Sequence, residues 1–72
     1  MKFFEFQIFI KYDKTYTFKV NPNTSIKKLK KMFQNKTNVP INYQNLLYDT
    51  QLLRNGKISD YNIKEHSTIW IM

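Results

Sequence analysis

The chain has 72 residues, enough for one small domain that buries only about 60% of the surface exposed by its unfolded form. It contains no cysteine and a single histidine, which excludes disulfides and thiolate zinc sites, so the apolar core must stabilise the fold unaided. The net charge of +7, carried by lysine rather than arginine, is weak evidence for an anionic partner, because a lysine-biased composition produces the same value.

The N-terminal segment "MKFFE" is predicted to be a short extension, residues 1–5, ahead of the first strand. Glu5, Gln7 and Lys11 interrupt the apolar residues that follow Lys2, so we expect neither a signal peptide nor a membrane span. Together with the absence of cysteine, this favours a cytoplasmic or nuclear protein.

Two alternating runs, residues 6–11 and 15–20, flank the polar break "YDK". Alternation of apolar and polar side chains is typical of half-buried strands, and a short polar break between two of them predicts a β-hairpin. Pro22 ends the second strand because proline lacks the amide that continued pairing requires.

A helix is predicted to begin after Ser25, whose side chain is a favourable N-cap. Ile26, Leu29 and Phe33 follow at i, i+3 and i+7 and form one apolar stripe. The helix should end within residues 35–38, before Val39-Pro40. Its opposite face carries three lysines: Lys27, Lys28 and Lys31.

The second half of the chain alternates short extended pieces with turns. "NLLY" predicts a strand with Leu46 and Leu47 on opposite faces, and "DTQLLRNG" predicts a turn and an extended piece around Leu53, closed by Gly56. "KISDYNI" predicts a single helical turn, and "STIWIM" predicts the last strand.

These segments resemble the ubiquitin family, and the resemblance runs from residue 6 to residue 72. "SDYNI", residues 59–63, is identical to the corresponding ubiquitin segment, while "FQIFIK", "TSIKKLKKMFQNKTNVP" and "QNLLYDTQLLRNG" are similar to other segments in the same order. The resemblance implies an α+β fold, the ubiquitin-like β-grasp. It is a mixed sheet in the order 2-1-5-3-4, with one helix across one face, within a single domain over residues 1–72.

The positions that this fold would bury are all apolar or aromatic, although lysine and asparagine are common in the chain. They are Ile8, Ile10, Tyr16, Phe18, Val20, Ile26, Leu29, Phe33, Leu46, Leu53, Ile58, Ile63, Ile69 and Ile71.

The resemblance also implies a binding site on the face of the sheet that the helix leaves open. Side-chain parity sends Leu47, Trp70 and Met72 to this face, at positions matching the main partner-binding patch of ubiquitin. The predicted rim residues are Phe9, Lys11 and Gln51. An exposed tryptophan beside aliphatic groups favours docking of proteins of the ubiquitin and proteasome pathways. The alternatives to partner docking are that Trp70 and Met72 pack on each other, on Phe3 and Phe4, or on a second copy of this chain.

Three departures from the family affect the expected function. This chain has no Gly-Gly tail after Met72, so we expect a module that is not itself conjugated; the alternative is a covalent modifier whose tail is absent from this chain. The first hairpin is two residues shorter, which removes a loop leucine that ubiquitin uses. Gln51 and Glu65 replace two linkage lysines.

A third class of function is binding of nucleic acid or another anionic surface through Lys27, Lys28 and Lys31. It is disfavoured because no aromatic residue falls on the same helix face. His66 is expected to be a surface histidine, and Asp60 and Tyr61 are expected to have structural roles in the "SDYNI" turn. We find no catalytic constellation, and expect no enzyme activity, metal, cofactor, small-molecule substrate or membrane partner.

Overall fold

The computed structural model describes residues 4–72 as one five-stranded sheet with a single α-helix across one face. Residues 1–3, which include Phe3 of the N-terminal extension, lie outside the described part. The elements are β1 (Phe6–Lys11), β2 (Thr15–Val20), α1 (Ile26–Thr37), β3 (Leu46–Tyr48), β4 (Gln51–Leu52) and β5 (Thr68–Ile71), with 3-10 turns at Ile41–Tyr43 and Ile58–Tyr61. The strand order β2-β1-β5-β3-β4 confirms the predicted topology.

The hydrophobic core lies between the sheet and α1. Twelve of the fourteen predicted core residues are buried, and the other two, Tyr16 and Ile71, are half-buried. Tyr16 keeps its hydroxyl at the surface, where it donates to Asp13 at 2.8 Å. Ile71 is the last residue of β5 and packs only at the edge of the core. Phe6, which was not predicted, is buried as the first residue of β1, opposite Val20.

Helix α1 begins and ends where the sequence predicts. The Ser25 hydroxyl accepts a hydrogen bond from the Lys28 amide at 2.9 Å, which satisfies one of the free amides of the first turn. Asn38 ends the helix in the left-handed conformation with φ 66°, and its amide donates to the Gln34 carbonyl at 2.7 Å. Phe33, fully buried on the inner face, packs edge-on against Tyr16 with ring centroids 5.4 Å apart.

Strands β3 and β4 form a hairpin with a two-residue loop, Asp49-Thr50. Both loop residues have positive φ, 50° and 66°, as a type I′ turn requires. Glycine or asparagine is the usual choice at these positions, so the conformation costs energy, particularly for the β-branched threonine. The loop sets Leu47 opposite Leu52 and Tyr48 opposite Gln51.

The "SDYNI" segment forms the predicted turn and ties down the loop before it. The Asp60 carboxylate accepts from the Lys57 amide at 2.9 Å, and the Tyr61 hydroxyl donates to the Asn55 carbonyl at 2.6 Å. Gly56 has φ 88°, and a Cβ at this position would overlap the Asp60 carboxylate. These contacts confirm the structural roles predicted for Asp60 and Tyr61.

The C-terminal strand β5 lies at the centre of the sheet, parallel to β1 and antiparallel to β3. Ile69 faces the core and is fully buried. Its neighbour Trp70 points to the other face, where it lies in register with Lys11 on one side and Leu47 on the other. The fold thus brings residues from three separate parts of the sequence together around Trp70.

Candidate functional site

The face of the sheet opposite the helix carries a group of apolar side chains, which we call the open-face patch: Leu47, Leu52, Trp70 and Met72. Trp70 is 51% exposed and Met72 75% exposed, while Leu47 is half-buried. The patch exists because successive side chains of β5 point to opposite faces of the sheet and are apolar on both faces. One set fills the core and the other remains at the surface.

The Trp70 ring is contacted by a cation. The Lys11 ammonium lies over the indole ring, 4.9 Å from its centroid. Such a cation–π contact at an exposed site contributes about 0.5–1 kcal/mol, and it adds a positive charge to the rim of the patch. The site therefore presents an aromatic surface with a positive charge directly beside it.

Leu52 belongs to the patch, although the sequence did not predict it as a binding residue. It is 38% exposed and is the direct cross-strand partner of Leu47, so the two side chains share a face. A two-residue loop at Asp49-Thr50 pairs Tyr48 with Gln51 and therefore Leu47 with Leu52. The sequence does not indicate this loop, because it lacks the glycine that is typical of one.

Gln51, which is predicted at the rim of the patch, lies on the other face of the hairpin. It pairs with Tyr48, which packs against the core, so its register places it on the opposite side of the hairpin from Leu47 and Leu52. It lines a shallow polar cavity of about 480 Å³, together with Tyr48 and Tyr61.

Phe9, His66 and Met72 also lie on or beside the open face of the sheet. Phe9 lies on the open face but is half-buried, because the His66 ring stacks on it with centroids 5.9 Å apart. His66 itself is a surface residue with a 63% exposed side chain, as predicted. The Met72 amide donates to the Asn45 carbonyl at 3.1 Å, which extends the pairing of β5 with β3 beyond Ile71.

Phe4 does not cover the patch. It is 72% exposed, and its ring lies 6.5 Å from that of Phe6, a residue of the core side of the sheet. The alternative that Trp70 and Met72 pack on Phe3 concerns a residue outside the described part of the chain.

The structure separates the two groups of predicted binding residues. Lys27, Lys28 and Lys31 are exposed on the outer face of α1, while the helix's inner face packs on the sheet. The open-face patch lies on the other side of that sheet. One partner surface cannot easily contact both groups, so each must be considered by itself.

The pKa values of Asp13 and Tyr16 are shifted from their ordinary values. The hydrogen bond from the Tyr16 hydroxyl lowers the pKa of the Asp13 carboxyl and raises the pKa of Tyr16, but both residues lie on the first hairpin, away from Trp70. Within residues 4–72, no three histidine, cysteine or carboxylate side chains come together in a group that could hold a metal ion. No helix in this part of the chain is long and apolar enough to cross a membrane.

A model of the ubiquitin family matches residues 8–72, which is all of the chain except its first seven residues. The matched region contains every residue of the open-face patch, the whole of α1, strands β2 to β5 and all of β1 except its first two residues.

Proposed function

The chain belongs to the ubiquitin family, and from this premise we propose that it is a protein–protein interaction module. Its open-face patch would dock proteins of the ubiquitin and proteasome pathways without forming a covalent bond. The observation that carries the proposal is the half-exposed ring of Trp70, held between Lys11 and Leu47 at the centre of the sheet.

The type of side chain exposed in the open-face patch favours binding. Tryptophan is among the side chains most enriched at binding hot spots, because its ring buries a large area and loses little conformational entropy. Trp70, Leu52 and Met72 leave apolar area exposed in the monomer, and a partner surface would remove that area from water.

The charges around the patch favour a partner with acidic residues at its edge. Lys11 lies over the indole ring, and the chain as a whole carries a net charge of +7. A short amphipathic helix or a small domain with an apolar centre and an acidic rim satisfies both features. Compared with ubiquitin, Trp70 replaces a histidine and broadens the patch, so we propose a partner preference that differs from ubiquitin's own.

This mode of docking uses side chains of the folded sheet and requires no C-terminal glycine. The proposed docking therefore does not depend on the residue at which the chain ends.

The direct test is the affinity of a helical peptide that binds ubiquitin, measured by isothermal titration calorimetry before and after Trp70→Ala. Loss of a hot spot worth about 2 kcal/mol weakens binding roughly 30-fold. Phe4→Ala is the matched control, because it removes an exposed aromatic ring outside the patch. An equal loss in both variants, or no binding by the unmodified domain, would contradict the proposal.

A further inference from the structure

The outer face of α1 carries a concentration of positive charge without any acidic residue. The helix contains five lysines and no aspartate or glutamate. Lys27, Lys28 and Lys31 are exposed on this face, and half-buried Met32 lies at its side. The lysine stripe runs along the helix because positions i, i+3 and i+4 are neighbours on a helical surface.

These lysines oppose the stability of their own helix. Lys27 and Lys28 occupy the first turn, where the partial positive charge of the helix favours acidic residues. Lys27 and Lys31 are four residues apart, a spacing at which like charges repel. A glutamate at position 28 would instead complete a capping box with Ser25, whose hydroxyl already accepts from the amide of residue 28.

Within residues 4–72, no carboxylate forms a salt bridge with these lysines. The one contact there between a carboxylate and a basic side chain joins Glu65 to the His66 ring, with 4.0 Å between Oε2 and Nε2, and both side chains are largely exposed. Sites where a sequence opposes its own fold are often functional sites, since selection for binding can outweigh a small loss of stability.

The same face has a shallow cleft of about 390 Å³. Its lining is largely apolar, with Met32 and the aliphatic parts of lysine side chains contributing, and Ser25 and Asn35 complete it. Lys27, Lys28 and Lys31 are all among the residues that line the cleft, and each carries a positive charge. It has room for one apolar side chain surrounded by positive charge.

We propose that this outer face of α1 is a second docking surface, and that its partner is an acidic peptide segment of another protein. One apolar side chain of the segment enters the cleft beside Met32, and flanking carboxylates pair with Lys28 and Lys31. The charge on the helix selects an acidic partner, and the apolar cleft selects a peptide.

A nucleic acid fits this surface less well than a peptide. A phosphate backbone would pair with the lysines but would leave the apolar cleft beside Met32 unfilled. The cleft lining contains no aromatic ring on which a base would stack. The surface therefore matches a peptide, which has both apolar and acidic side chains, better than a nucleic acid, whose backbone offers only negative charge.

The proposal is independent of the function assigned to the open-face patch. The two surfaces lie on opposite sides of the domain, separated by the core and the sheet, so one module can hold two partners at once. If Trp70→Ala does not affect binding at the open-face patch, the proposal for the outer face of α1 still stands. Likewise, loss of the α1 proposal would not affect the one for the open-face patch.

The test uses two synthetic peptides of equal charge, one made of glutamates around a central leucine and one with glycine in place of the leucine. Each is titrated into ¹⁵N-labelled protein, and the amide chemical shifts are followed by NMR. We expect the leucine peptide to bind at least fivefold more tightly and to shift residues 25–35. The variant Lys28→Glu/Lys31→Glu should lose binding at least tenfold.

The matched control is Lys19→Glu/Lys64→Glu, which changes the net charge equally but alters exposed lysines outside the helix. The control should retain most of the binding. Equal losses in the two variants would overturn the proposal, because net charge alone would then explain the binding. Equal affinity for the two peptides would also overturn it, as would tighter binding of a single-stranded oligonucleotide of the same charge. Retained folding of each variant is checked by circular dichroism.

Discussion

The Asp49-Thr50 loop predicts that Thr50→Gly stabilises the protein. Thr50 has φ 66°, a left-handed conformation that crowds its Cβ against the following carbonyl oxygen. Glycine has no Cβ and adopts this conformation without steric cost, and it is the residue most often found at the second position of a type I′ turn.

The expected gain is the difference between two opposing terms. Relief of the left-handed strain is worth about 1–2 kcal/mol for an L-residue. The greater conformational entropy of glycine in the unfolded chain offsets about 0.5–1 kcal/mol of that gain. At their central values, about 1.5 and about 0.75 kcal/mol, the two terms leave a net stabilisation of about 0.75 kcal/mol, which corresponds to an increase in Tm of about 3–6 °C for a domain of this size.

Thermal and urea denaturation followed by circular dichroism measure this change. Thr17→Gly is the control, because Thr17 is an exposed strand residue opposite Phe9, and glycine there should destabilise by about 0.5–1 kcal/mol. If Thr50→Gly destabilises the protein as Thr17→Gly does, the loop does not have the left-handed geometry described above, and the pairing of Leu47 with Leu52 that depends on it is contradicted.

Three further predictions concern the helix, the core and the first hairpin. Lys28→Glu should raise the free energy of unfolding by about 0.5–1 kcal/mol in urea denaturation, because glutamate forms a capping box with Ser25 and interacts favourably with the helix dipole; a loss of stability would contradict this. Phe33→Ala should lower the free energy of unfolding by about 3–5 kcal/mol, since it empties a fully buried aromatic site, and Phe33→Leu should cost clearly less. Tyr16→Phe should raise the pKa of Asp13 towards its ordinary value in an NMR titration of the carboxyl carbon, because it removes the hydrogen bond that lowers this pKa. Since the folded-state pKa of Asp13 is lowered, the stabilisation is present above the unfolded-state pKa and is lost as the pH falls through the folded-state pKa. The stabilities of the wild type and Tyr16→Phe should therefore converge in acid.

The sequence predicted those features that repeat along an element. The apolar stripe of Ile26, Leu29 and Phe33 and the cap at Ser25 located α1, and alternation along β5 assigned Trp70 to the open face. The strand order required the family resemblance as well, because periodicity within a strand says nothing about which strand lies beside it.

Features that depend on a single loop or strand end were missed. The position of Leu52 in the patch, and that of Gln51 outside it, follow from a tight loop whose sequence, Asp49-Thr50, lacks the usual glycine signal. A one-residue change of register reverses the face of every side chain in a strand, so β4 could not be assigned without the loop geometry. The 3-10 turn at Ile41–Tyr43 is too short to show periodicity, and the sequence did not predict it.

The most direct test of the central claim is to map where a ubiquitin-binding helical peptide contacts this domain. In a titration of ¹⁵N-labelled protein, we expect the largest shifts at the Trp70 indole N–H and at the amides of Lys11, Leu47 and Leu52, and the same titration of Trp70→Ala should show almost none. Shifts concentrated on Ile26–Thr37, or shifts that persist unchanged in Trp70→Ala, would contradict the claim that the open-face patch is the docking site.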